Sequence, residues 1–126
     1  MDTNTELKLV FAAYSKLNFY FRQHISKFVI EEGFVPLNPF MISDYFMLDS
    51  VDRDLVRAAN NSLVKRTDEL WVFGQISNGV LAEIILAKQR DKPVRYFDII
   101  KSKDIIEITK EKVIFEEDLE KHRSEL

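Results

Sequence analysis

The chain has 126 residues, 46% of them hydrophobic, and a formal charge of −3, which suits one domain with a real core and argues against a generic nucleic-acid binder, since such proteins carry a basic stripe. With no cysteine and only His24 and His122 as histidines, disulfides, thiolate zinc sites and a cysteine nucleophile are excluded, and a multi-histidine metal centre is disfavoured. No apolar run reaches the ~20 residues of a membrane span, and the start MDTNTELK lacks the basic and apolar blocks of a secretory signal, so the expectation is a cytoplasmic protein with no membrane partner.

The first predicted element is LKLVFAA (7–13), a short apolar run that reads as a buried strand. Ser15 follows as a helix cap. Leu17, Phe21, Ile25, Phe28 and Val29 then recur at three- and four-residue steps, as one stripe of a helix that Gly33 ends. FVPLNP is a short strand broken by Pro36 and Pro39. Residues 37–52 show no clean period and read as an irregular loop with a short helical turn, of the kind that often serves as a lid or binding wall. From Ser50 or Asp52 a second helix runs through RDLVRAANNSLVKRT, with Leu55, Ala59, Leu63 and Val56 as its expected buried line. ELWVFG (69–74) is a strand stopped by Gly74, NGVLAEIILAK is a third helix, KPVRYFDI is a strand and DIIEIT is a last one. The closing FEEDLEKHRSEL is a charged helix or tail.

Strands alternating with helices predict an α/β fold: a small doubly wound parallel sheet, flavodoxin-like or Rossmann-like, of about five strands with helices on both faces. The chain is read as a single domain, 1–126. In such sheets ligands bind beyond the carboxyl ends of the strands, where the winding reverses. For a flavodoxin-like order that point falls between AAYS (12–15) and GQISNG (74–79). Ser77, Asn78 and Gly79 at a helix start suit close approach by a phosphate, although neither a Walker loop nor GxGxxG is present.

Glu83 is the one acid in an otherwise apolar helix. At 100° per residue it projects near Gly79, Leu86 and Ala87. A carboxylate so placed is partly desolvated, which raises its pKa and suits it to acid–base or nucleophilic work. The plainer alternative is a glutamate that complements the helix dipole. His24 sits on the apolar stripe of the first helix and reads as a hydrogen-bonded structural histidine. Asp44, Asp49, Asp52 and Asp54 read as solvated loop acids before they read as ligands. Tyr45 and Phe46 could stack on a base or plug the loop onto the core, and Trp71 reads as packing.

RTDELWVFGQISNGVLAEIILAKQRDKPVRYF (66–97) resembles the core of the nucleoside 2-deoxyribosyltransferase superfamily, which includes 2-deoxynucleoside 5-phosphate N-hydrolases. The shared pattern is an Asp opening an apolar strand (Asp68), a turn with small residues (Ser77 to Gly79), then Glu83 and Ala87 one turn later. A looser likeness runs from Leu7 to Phe97 through EEGFVPLNPF, which leaves 98–126 as an extension with an edge strand and a charged helix. The resemblance implies cleavage or transfer at the N-glycosidic bond of a (deoxy)nucleoside or its 5-phosphate, with Glu83 as the nucleophile. It also implies that Ser77 contacts the 5-phosphate and that Asn60 stands near the family's second catalytic carboxylate. Tyr14, Ser15, Asn38, Asn78 and Gly79 complete the implied substrate-binding set. The implied partner is a small-molecule nucleoside or nucleotide, with no cofactor and no metal, in a homo-oligomer. Two positions depart from the pattern. Asn60 cannot act as acid or base, and Val10 stands where the first strand usually supplies a Tyr beside the glutamate. The remaining readings are a binding module without turnover and a structural or interaction protein.

Overall fold

The computed structural model describes residues 1–43, 49–101 and 103–126. Asp44, Tyr45 and Phe46 lie outside the described residues. A five-stranded sheet has the order β2-β1-β3-β4-β5, formed by β1 (Leu9–Ala13), β2 (Val35–Leu37), β3 (Glu69–Phe73), β4 (Val94–Ile100) and β5 (Asp104–Ile108). The helices are α1 (Arg22–Glu31), α2 (Pro39–Ile42), α3 (Arg53–Arg66) and α4 (Asn78–Gln89), with 3-10 segments at Lys16–Phe21, Lys110–Lys112 and Glu117–Glu125. The first four strands are parallel. β5 runs antiparallel to β4, so the expectation of a wholly parallel sheet is corrected at its last strand. Only residues 101–103 join the two, too short for a crossover but ample for a hairpin.

Strand alternation divides the core into two layers. Val10, Ala12, Tyr14, Trp71, Phe73 and Phe97 pack on Ile25 and Val29 of α1. Phe28 fixes this side by meeting Trp71, Phe73 and Phe97 edge-on at centroid distances of 6.2, 6.1 and 5.2 Å. On the other side, Phe11, Ala13, Leu70, Val72 and Tyr96 pack on Val64 of α3 and on Val80, Leu81, Ile84 and Ala87 of α4. Val113, Phe115 and Leu126 of the C-terminal segment close that layer. Helices therefore cover both faces.

Local chemistry explains the joints. Gly33, at φ +90°, ends α1, as a left-handed residue past a helix does. Pro36 is tolerated inside β2 because β2 is an edge strand and its missing N–H faces no neighbour. Asp52 caps α3 by accepting from the N–H groups of Asp54 and Leu55. Asp68 accepts from the Leu9 N–H at 2.7 Å, and its own N–H bonds the Leu9 carbonyl. The aspartate that opens β3 thus sets the register of β1 beside it.

Two helical stripes differ from the sequence reading. Leu17 is 64% exposed, because Ser15 caps a 3-10 segment whose three-residue turn takes Leu17 off the stripe of Ile25 and Val29. On α3, Leu55 is 65% exposed and Ala59 is exposed too, while Val64 is buried and Val56, Arg57, Asn60 and Leu63 are half-buried. The inward face of α3 is thus rotated from the apolar line and includes Arg57.

Candidate functional site

The helix that follows β3 is placed by its cap and its apolar stripe. Ser77 Oγ accepts from the Val80 N–H at 3.3 Å, and Val80, Ile84 and Ala87 face the sheet. Glu83 lies one stripe round, on the side turned to α3, and is only 6% exposed. From α3, Arg57 reaches across, its Nη1 3.3 Å from Glu83 Oε2. The pair is asymmetric. The Glu83 side chain is enclosed, whereas that of Arg57 is 41% exposed.

This environment decides the protonation of Glu83. Burial disfavours the anion and pushes its pKa up to about 7, against the opposing pull of the Arg57 charge and hydrogen bond. At neutral pH the group is therefore divided between acid and carboxylate, a state suited to proton transfer or to attack by the ionised fraction. Gly79, one turn before Glu83, gives the arginine its path. A Cβ on Gly79 would lie 2.8 Å from Arg57 Nη2.

Strands β1 and β3 are neighbours, so the reversal in winding falls where the order predicts. Asn18 occupies the crevice between their ends, donating to the Phe73 carbonyl at 3.4 Å and to Gln75 Oε1 at 3.1 Å. Gly74, at φ +82°, lies beneath it in a backbone conformation that favours glycine, and a Cβ there would collide with Asn18 Nδ2. Neither Asn18 nor Arg57 stands out as a site residue in the sequence. Asn18 carried a faint signal, standing three residues after a cap and opposite a strand-stopping glycine. Arg57 carried none, being one charge in a charged helix.

The sites named from the sequence divide into two groups. Glu83, Ser77, Asn78, Gly79 and the half-buried Asn60 belong to α3, α4 and the turn between β3 and α4. Tyr14 and Asn38 lie on the α1 side. There the Tyr14 hydroxyl donates to Asn38 Oδ1 at 2.6 Å, and Asn38 Nδ2 donates to the Arg22 carbonyl and to Ser26 Oγ. Both amide hydrogens of Asn38 are thereby used, and the residue is 1% exposed, which makes it a tie between β2 and α1. Ser15 caps the 3-10 segment by accepting from Leu17 N–H. Val10 packs in the α1-side layer, so a tyrosine there would not stand beside Glu83. On the Glu83 side of β1 the corresponding positions are Phe11 and Ala13.

His24 is exposed and not on the buried stripe. Among the described residues no cluster of three or more acidic or histidine side chains could hold a metal. Trp71 is buried, its Nε1 donating to Glu69. A cleft lined by Gly74, Gln75, Asp98, Ile108, Lys112 and Ile114 opens at the carboxyl ends of β3 and β4. At roughly 80 Å³ it is well short of the ~300 Å³ at the small end of ligand pockets. Among the described residues no helix is long and apolar enough to cross a membrane.

A five-stranded, mostly parallel sheet in this order, with helices on both faces, defines a doubly wound α/β protein. A solved 2-desoxiribosyltransferase from Leishmania mexicana matches at a TM-score of 0.57 and 14% identity, over 74% of this chain. The chain spans 65% of that protein's length. The particular family is given by a model described as "Domain of unknown function (DUF7768)", which matches residues 10–97, and the chain belongs to that family. None of the curated proteins compared with the chain matches it.

Proposed function

We propose that the protein cleaves or transfers the N-glycosidic bond of a (deoxy)nucleoside or its 5-phosphate, with Glu83 as the nucleophile. The observation that carries this reading is an enclosed carboxylate with its pKa raised to about 7, on the helix that leaves the β3 end of the winding reversal. The fold likeness to a deoxyribosyltransferase supports the substrate class. In the step, a Glu83 oxygen bonds to C1 of the sugar as the C1–N bond breaks. The bonding pair leaves with the base, which takes up a proton. The sugar then leaves the enzyme by reaction with water or with a second base. A carboxylate suits this because it stabilises the oxocarbenium-like sugar before it traps it.

One observation favours a second reading, a nucleotide-binding module without turnover. The side chain that reaches Glu83 among the described residues is the Arg57 cation, and the second carboxylate of the resemblance is replaced by Asn60. Incubation with a panel of nucleosides and their 5-phosphates separates the two readings. The enzyme reading predicts release of free base by the wild type and at least a ~100-fold loss in Glu83→Ala, the scale of a lost catalytic group. A ligand-induced thermal shift without base release selects the binding module. Neither response from any member of the panel overturns both.

A further inference from the structure

We propose that Arg57, laid across Gly79, is a positioning residue that favours the ionised form of the Glu83 carboxyl and aims it, and that Gly79 is glycine to let it do so. The proposal rests on the reading of Glu83 as the reactive carboxylate. Its geometric basis is the contact at 3.3 Å between Arg57 and Glu83, together with the 2.8 Å that a Cβ on Gly79 would leave to the same guanidinium.

The placement is unfavourable for an arginine taken alone. The first turn of α4 is the positive end of its dipole, so a cation over Gly79 is held there by Glu83 and not by the helix. The glycine is unfavourable for the helix as well, since glycine is a weaker helix former than alanine. Two locally costly choices meet at one point, and the ion pair is what they produce.

Among the described residues, Arg57 is the charged group in contact with Glu83. From α3, Arg53 and Asp54 are exposed. From α4 itself, Lys88 is exposed. β3 packs in the same layer with Leu70 and Val72, and β4 with Tyr96, whose phenol burial pushes up to about 12, neutral throughout the relevant range. The C-terminal segment brings Leu119 and Leu126, with the half-buried Glu116, His122 and Arg123. Arg123 is bound to Glu120. The Arg57 charge opposes the effect of burial on Glu83.

The test reads the Glu83 carboxyl directly, by carbon NMR titration of 13C-glutamate-labelled protein, with Glu83→Gln assigning the signal. Wild type, Arg57→Ala, Arg57→Lys and Gly79→Ala are compared. Gly79→Ala removes no charge and meets only the flexible tip of Arg57, so it displaces the guanidinium without endangering the fold. The expected result is a titration midpoint raised by about one unit or more in Arg57→Ala and Gly79→Ala, with part of the rise reversed in Arg57→Lys. At pH 7 a one-unit rise cuts the ionised fraction roughly fivefold, and the acid limb of any base-release profile shifts upward with it. Midpoints in both Arg57→Ala and Gly79→Ala within ~0.3 unit of wild type overturn the inference. The titration needs no substrate, so a protein that releases no base but shows the moved midpoints fails the proposed function alone.

Discussion

At the scale of the residue, Glu83 carries a pH dependence with a definite sign. Its folded-state pKa is raised from 4.5 to about 7, so between these values the folded chain holds a proton that the unfolded chain has released. Stability from this group is therefore full below about pH 4.5 and is lost as pH rises through 7. The loss is on the order of 3 kcal/mol at most. Glu83→Gln cannot titrate, so its melting temperature minus that of wild type is predicted to grow between pH 5 and pH 8. A difference that stays constant across that range would mean that Glu83 is not desolvated. The same residue shows how far the sequence could be read. An acid within Val80, Leu81, Ile84 and Ala87 marked Glu83 as unusual, and helical projection placed it beside Gly79. Its partner was not legible, because nothing in RDLVRAANN distinguishes an inward arginine from a solvated one. Asn38 was read as a ligand-binding residue from the resemblance, yet its hydrogen bonds to Tyr14, Arg22 and Ser26 are those of a tie within the fold.

At the scale of the element, the strands and their stops were legible because each follows from local chemistry. Apolar runs form β1, β3 and β4, glycines with positive φ follow α1 and β3, and Ser77 caps α4. The direction of β5 was not, since an apolar run carries no record of the strand it will pair with. The C-terminal segment is the element whose role only the structure supplies. Ile76 N–H donates to the Ile114 carbonyl, Glu116 N–H donates to the Ile76 carbonyl, and Phe115 is buried beneath. The segment is thus fastened to the turn that launches the Glu83 helix. Arg123 fastens the segment to itself, donating to the carbonyls of Lys110, Glu111 and Val113 while its guanidinium lies 5.0 Å from the centre of the Phe115 ring. Arg123→Ala is predicted to speed amide hydrogen exchange at Ile76 and Glu116 by about tenfold, a local opening of ~1.4 kcal/mol, while exchange in β1 and β3 is unchanged. Equal acceleration everywhere would show a global loss of stability and no specific fastening.

At the scale of the whole molecule, the strand order brings the β1 and β3 ends together, and Asn18 closes the space between them on Phe73 and Gln75. Glu83 and Arg57 lie to one side of the sheet, and Tyr14 and Asn38 to the other. A substrate seated at the carboxyl edge would meet the first pair through the turn at Ser77 to Gly79. In the proposed reaction the enclosed carboxylate of Glu83 forms a bond to the sugar. Mass spectrometry of protein quenched during incubation with nucleosides and nucleoside 5-phosphates tests it most directly. The proposed reaction leads to an adduct of one sugar unit, located on the peptide that contains Glu83 and missing from Glu83→Gln. Base release that continues undiminished in Glu83→Gln, with no adduct on the wild type, would contradict it.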